Sequence, residues 1–250
     1  MNRLRNFWVR SIRFLFRRNG FGVHSPFVFY LITQVIRNPY NYYFYKDYHL
    51  ALRKLSYDRH PVIKGIALLP QDILEKQTLQ TKDARFLFRL ANALHLKEIA
   101  VVGSYAGCAS ACLSAHSRFT HTLTYEPMEA HLALAKKLNQ ALGIEHTTWI
   151  LTDFSDVYTQ FSKVKKEVDC IFLGDACPLA IKQELVDLCL DHLSPKGVLI
   201  MEGIEKDKAH RTFWKNVQQK KKVTVSLNIF TMGLVFIDAH LNKKNYIIGF

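Results

Sequence analysis

The sequence predicts an α/β protein: a mostly parallel β-sheet ending in antiparallel pairing, with a helical extension ahead of it. Three observations lead there. From Glu98 onward, short apolar runs alternate with longer segments of helical period, the pattern of strands joined by crossover helices. From Val223 onward the runs are separated by turns close enough for antiparallel neighbours. The first 80 residues differ in kind, being aromatic and strongly basic.

The extension comes first in the chain. Residues 1–46 contain eight Lys and Arg and no Asp or Glu, so eight of the thirteen net positive charges of this 250-residue chain sit there. On a helical wheel, residues 2–18 place Arg3, Arg10, Arg13 and Arg17 on one side and Leu4, Trp8, Ile12 and Leu15 on the other. Such a helix either docks its apolar side on the domain, the favoured reading, or makes peripheral contact with an anionic membrane. Residues 38–48 form an aromatic cluster that either stacks on bases, lines a substrate mouth or packs; no nucleic-acid-binding motif accompanies it. The expected division is a helical, basic extension over 1–80 and an α/β domain over 81–250.

Within that domain the strands are read as Ile99–Val102, Leu123–Tyr125, Thr148–Leu151, Cys170–Leu173 and Val198–Met201, apolar enough to be covered on both faces. The helix over 128–142 carries Leu132, Ala135, Leu138 and Leu142 on one face and stops at Gly143. The helix over 179–193 repeats the scheme through Ile181, Leu185, Leu188 and Leu193, and ends before Pro195 and Gly197. A polar helix over 207–219 leads into the runs 223–230, 233–237 and 246–250.

Composition narrows the class. With 49% hydrophobic residues and 22% charged, the chain is neither disordered nor fibrous. The two long uncharged stretches, 19–36 and 99–117, are broken by glycines, Ser25 and Pro26, so neither reads as a membrane span. Arginines at 10, 13, 17 and 18 interrupt any secretory signal. Five cysteines without C-x-x-C spacing fit neither a disulfide framework nor a zinc site, and a reducing cytoplasm is expected.

In open α/β sheets ligands bind beyond the carboxyl ends of the strands. The first strand there gives Gly103-Ser104-Tyr105-Ala106-Gly107, a small-residue loop whose backbone N–H groups can approach a ligand. The second gives Glu126, an acid placed to accept ribose hydroxyls. The third gives Asp153 and Phe154, suited to an adenine; the fourth ends Gly174-Asp175 and the fifth Glu202-Gly203. Each of these residues also has an ordinary structural role open to it, as helix cap or loop residue.

These segments in this order, Ile99 to Ser110, Tyr125-Glu126, Asp153-Phe154 and Val168 to Asp175, resemble the motifs of class I S-adenosylmethionine-dependent methyltransferases. Within them the O-methyltransferase-like branch is most similar, with Gly103, Ser104, Gly107 and Ser110 matching its loop apart from one extra residue. Gly20 to Phe27 and Phe230 to Phe236 are similar to segments of an uncharacterised bacterial subgroup. The resemblance implies a seven-stranded Rossmann-like sheet with the last strand antiparallel. It also implies S-adenosylmethionine as cofactor, held by Gly103, Ser104, Tyr105, Gly107, Glu126, Asp153, Phe154 and Gly174. The reaction it implies moves a methyl group to an oxygen or nitrogen of an unknown small molecule, with Asp175, Glu202 or a lid-borne His24 as base.

The chain departs from the pattern at three acidic positions. Val101 stands where the family has an acid, Gly174-Asp175 moves the fourth-strand acid by one residue, and Glu202-Gly203 replaces an acidic pair. No metal is assigned for that reason. Two other readings stay open: an inactive member of the fold serving as a binding or scaffold module, and a nicotinamide-dependent oxidoreductase, whose G-x-G-x-x-G fingerprint is absent.

Overall fold

The computed structural model describes residues 24–61, 68–75, 79–163 and 167–250. The amphipathic segment 2–18 and residues 20–23 of the N-terminal motif lie outside the described residues.

Eight strands form one sheet: β1 (Glu98–Val102), β2 (His121–Glu126), β3 (Thr147–Leu151), β4 (Val168–Leu173), β5 (Leu193–Glu202), β6 (Val225–Asn228), β7 (Met232–Phe236) and β8 (Lys244–Ile247). They stand in the order β3-β2-β1-β4-β5-β7-β6-β8. Among the described residues the count is therefore eight and not seven. β7 runs antiparallel to both its neighbours, β5 and β6, and residues 229–231 leave room only for a hairpin from β6. Residues 237–243 then carry the chain across the end of β6, so β8 pairs parallel on its far side. The antiparallel strand is thus the penultimate one, and the terminal strand is the added edge.

Pleating divides the core in two, since successive side chains point to opposite faces. Ile99, Val101, Cys170, Phe172, Val198 and Ile200 face one cluster, and Ala100, Val102, Ile171, Leu173, Leu199 and Met201 face the other. The first face is covered by α1 (Pro26–Tyr30), α2 (Tyr43–Ser56), α3 (Pro70–Leu74), α4 (Thr81–Leu94), α5 (Cys108–Ser114) and α6 (Glu129–Ala141). The second is covered by α7 (Val157–Phe161), α8 (Leu179–His192) and α9 (Lys208–Gln219). α1 begins at Ser25, whose hydroxyl accepts from the Val28 N–H at 3.3 Å, and continues as a π turn over Leu31–Ile36.

Much of the aromatic cluster packs, although Tyr40 and Tyr43 are exposed. Phe44 stacks on Phe88 of α4 at 4.6 Å, Tyr42 meets the same ring at 5.3 Å, and Arg89 of α4 donates to the Val35 carbonyl and the Tyr45 hydroxyl. Val28 to Leu55 thus share one apolar cluster with the sheet.

Two elements differ from their sequence reading in ways that matter below. Ser194 to Gly197 belong to β5 as an irregularity, where the pairing with β4 jumps from Val168–Leu193 to Cys170–Val198. α8 buries Lys182, Leu185, Val186, Cys189 and Leu190, a stripe at helical spacing, whereas Ile181 and Leu188 are only partly buried. A lysine therefore occupies an inward position. All five cysteines are buried and free, and no helix among the described residues is long and apolar enough to cross a membrane.

Candidate functional site

The strand order reverses between β1 and β4, so the chain leaves these two strands in opposite directions and opens a crevice beyond their carboxyl ends. Two loops meet there. In the loop after β1, Gly103, Tyr105, Ala106 and Gly107 all have positive φ, from 50° to 90°. For Tyr105 and Ala106 that conformation costs roughly 1–2 kcal/mol each. The loop after β4 comes so close that a Cβ at Gly174 would lie 2.1 Å from the Gly103 carbonyl oxygen, which makes glycine obligatory there.

Ser104 locks the first loop. Its hydroxyl accepts from the Gly107 N–H at 3.0 Å and donates to Glu126 Oε2 at 3.0 Å, while His131 of α6 approaches Glu126 Oε1 at 3.3 Å. Glu126 is only 3% exposed. The Glu126 carbonyl also accepts from the Thr152 N–H, joining this strand end to the next. Beyond it, exposed Asp153 precedes a single 3₁₀ turn, and Phe154 packs against the second apolar cluster. The structure thus brings Gly103, Ser104, Tyr105, Gly107, Glu126 and Gly174 together beyond the ends of β1, β2 and β4, all but Tyr105 buried, with Asp153 and Phe154 one strand further out. Ser110 instead bonds the Thr124 hydroxyl at 2.8 Å, fastening α5 to β2 inside the core.

A cavity of about 280 Å³ adjoins this crevice, lined among others by Tyr105, Asp175, Glu202 and Lys206, with Asp83 at the start of α4 and Thr231 in the β6–β7 turn. Asp175 reaches it despite its shifted position, because Gly174 and Asp175 lie in a turn past the end of β4, closed by the Cys177 N–H on the Gly174 carbonyl, where strand alternation no longer applies. Its carboxylate is held by the Lys206 ammonium at 2.9 and 3.0 Å, and its N–H donates to Glu202 Oε2 at 3.1 Å. Gly203, at φ 76°, sits against that carboxylate: a Cβ there would come 2.5 Å from Asp175 Oδ1.

Glu202 is the electrostatically unusual member. Burial pushes its carboxyl up to about 7, against the hydrogen bonds from Tyr105 and the Asp175 N–H that favour its ionised form, and nearby Asp83 pushes the same way as burial. Burial, and secondly the Glu202 charge, hold the Tyr105 phenol well above its usual range. Asp83 itself is buried and accepts from the Thr231 hydroxyl at 2.9 Å.

His24 is not brought to this place. It is exposed, is not among the residues lining the cavity, and lies just ahead of α1, whose Phe27 packs edge-on against Phe236 at 4.9 Å. Phe236 pairs with Val198, toward the end of β5 opposite Glu202. Among the described residues, no cluster of three or more His, Cys, Asp or Glu is arranged to hold a metal ion.

Sequence reasoning missed Lys206, Asp83 and Thr231. Lys206 had a signal, four residues after Glu202 on the same strand-end turn; Asp83 lies in a segment read as extension boundary, with nothing local to mark it.

No family model matches the chain, and no curated protein matches its sequence. Solved structures do match. An O-methyltransferase from Bacillus cereus in complex with SAH superposes with a TM-score of 0.59 over 76% of this chain and 90% of that one, at 15% identity. The SAH-bound methyltransferase PaMTH1 of Podospora anserina gives 0.59 over 76% and 87%, at 12% identity. The fold is the one these methyltransferases share. TomG, an O-methyltransferase of Streptomyces achromogenes involved in tomaymycin synthesis and solved with SAM, gives 0.55 over 84% and 94%, at 14% identity.

Proposed function

We propose that this methyltransferase fold catalyses transfer of a methyl group from S-adenosylmethionine to an oxygen or nitrogen of a small acceptor. The observation that carries the reading is a half-buried carboxyl, Glu202, which faces a cavity beside the loop of the topological switch point and which burial pushes up to about 7. The acidic pattern is altered at three positions, yet a carboxylate still reaches this cavity from the ends of both β4 and β5. The scaffold alternative gains no support from the structural neighbours, several of which hold cofactor.

The residues present fit an adenosyl ligand in kind. Glu126 accepts one hydrogen bond on one oxygen and faces His131 with the other, and a carboxylate offers about four acceptor positions, so capacity remains for a pair of ribose hydroxyls. Reaching it requires the Ser104 contact to yield, since Glu126 is covered. The Gly103–Gly107 loop presents its backbone to the same ligand, and Asp153 and Phe154 stand at the next strand end for the base. Bound there, S-adenosylmethionine supplies an electrophilic methyl group on sulfur. The chain's own task is then to align an acceptor and take its proton. Glu202 takes that proton: near neutrality it is both ionised in good part and basic enough to bind it. Asp175 is occupied by Lys206 and serves to orient Glu202 through its N–H.

Calorimetric titration with S-adenosylmethionine and S-adenosylhomocysteine tests the reading. Micromolar binding of both is expected. Absence of heat and of thermal stabilisation at millimolar ligand rejects it.

A further inference from the structure

α8 turns one charged side chain into the core. Lys182 is 1% exposed and heads the buried stripe of that helix, among Leu185, Val186 and Cys189. A buried ammonium is costly unless it is bonded and its charge is answered. Its hydrogen bond goes to the main-chain carbonyl of Glu202, 2.9 Å from Nζ, the last carbonyl of β5. That carbonyl belongs to the residue whose side chain faces the cavity from the other side of the strand end.

We propose that Lys182 is a positioning residue for Glu202: its side chain pins the main chain at the end of β5 and brings a positive charge to that strand end, keeping the carboxylate available as a base. The inference rests on the reading of Glu202 given above and adds to it the group that tunes it.

The surroundings make the charge consequential. From the loop after β1, Tyr105 bonds the Glu202 carboxyl; from the turn after β4, the Asp175 N–H does the same; from α4, Asp83 adds a negative charge. Burial and Asp83 both oppose ionisation of Glu202, whereas Lys182 favours it from α8. Lys182 is in turn pushed down by burial and by Lys206, and held up by Cys177, Asp175 and Glu202. An apolar residue at 182 would satisfy the packing of the stripe equally well, so packing alone does not account for a lysine.

The test reads Glu202 directly and needs no substrate. Protein labelled with ¹³C at the glutamate carboxyl carbon is titrated by NMR, the Glu202 signal being the one lost in Glu202→Gln. The wild-type midpoint is expected near 7. In Lys182→Met, which keeps the length and apolar stem, the midpoint is expected to rise. Lys182→Gln keeps a donor for the carbonyl without the charge, and the same rise is expected; it also serves if the Met variant does not fold. A midpoint that stays put in a folded variant, or that moves in Met but not in Gln, overturns the proposal, because the charge is then not the agent. In a methyl-transfer assay the acid limb of the pH profile should move by the same amount, with the Michaelis constant for cofactor unchanged. If no methyl transfer or cofactor binding is found at all, the reading of the activity fails while the NMR midpoints still decide the role of Lys182.

Discussion

Glu126 and Glu202 each end a strand, Glu126 buried and Glu202 half-buried, and their surroundings differ in kind. Glu126 is met by a serine hydroxyl and a histidine ring, neighbours that hold it in place beneath a strained loop. Glu202 stands in a cavity with another carboxylate nearby, is pushed toward neutrality by burial, and is answered by a lysine on the far side of its main chain. Position at a strand end does not assign a role. On the proposed reading, Glu126 is an acceptor held by its serine and histidine neighbours, and Glu202, which burial pushes upward, is the proton carrier.

Four expected outcomes break or sharpen that contrast. The largest is catalytic: Glu202→Gln should lower methyl transfer by roughly 10²–10⁴-fold, the usual worth of a positioned base, measured as S-adenosylhomocysteine formed. The same variant should be more stable than wild type at high pH. The folded-state value of Glu202 lies above its ordinary 4.5, so the folded protein holds its proton more tightly and loses stability as pH rises from 4.5 through about 7. Wild type and Glu202→Gln should therefore melt alike near pH 4.5 and diverge by on the order of 3 kcal/mol at pH 8; parallel melting curves across that range would mean the carboxyl is ordinary. Next, Gly174→Ala forces a Cβ onto the Gly103 carbonyl and should cost about 3 kcal/mol of stability, read from denaturant unfolding. The smallest effect belongs to Asp175→Asn: its pair with Lys206 is partly exposed, and its loss should change stability by less than about 1 kcal/mol, while the N–H bond to Glu202 persists.

The fold was legible from the alternation of apolar runs with helical periods, because strands buried on both faces must be apolar throughout. The eighth strand was visible as a run at the C-terminus, but its pairing partner was not, since an edge strand carries no signal of which neighbour it joins. Glu126 and the Gly103 loop were legible because strand-end position and small residues are local properties. Lys182 was not, because a lysine in an amphipathic helix ordinarily reads as solvated; only its spacing from Leu185, Val186, Cys189 and Leu190 placed it on the buried stripe. Asp83 and Thr231 were illegible for a simpler reason. They reach the cavity from α4 and the β6–β7 turn, 148 positions apart, and meet only through the folded sheet.

The most direct measurement sets the two glutamates side by side: titration of S-adenosylhomocysteine into Glu126→Ala and Glu202→Gln in one buffer at pH 7.5. Glu202→Gln is expected to keep the wild-type affinity and Glu126→Ala to lose at least about tenfold, the cost of a charged hydrogen-bonding partner. Equal affinities in the two variants, or loss confined to Glu202→Gln, would contradict the division of labour between the two strand ends.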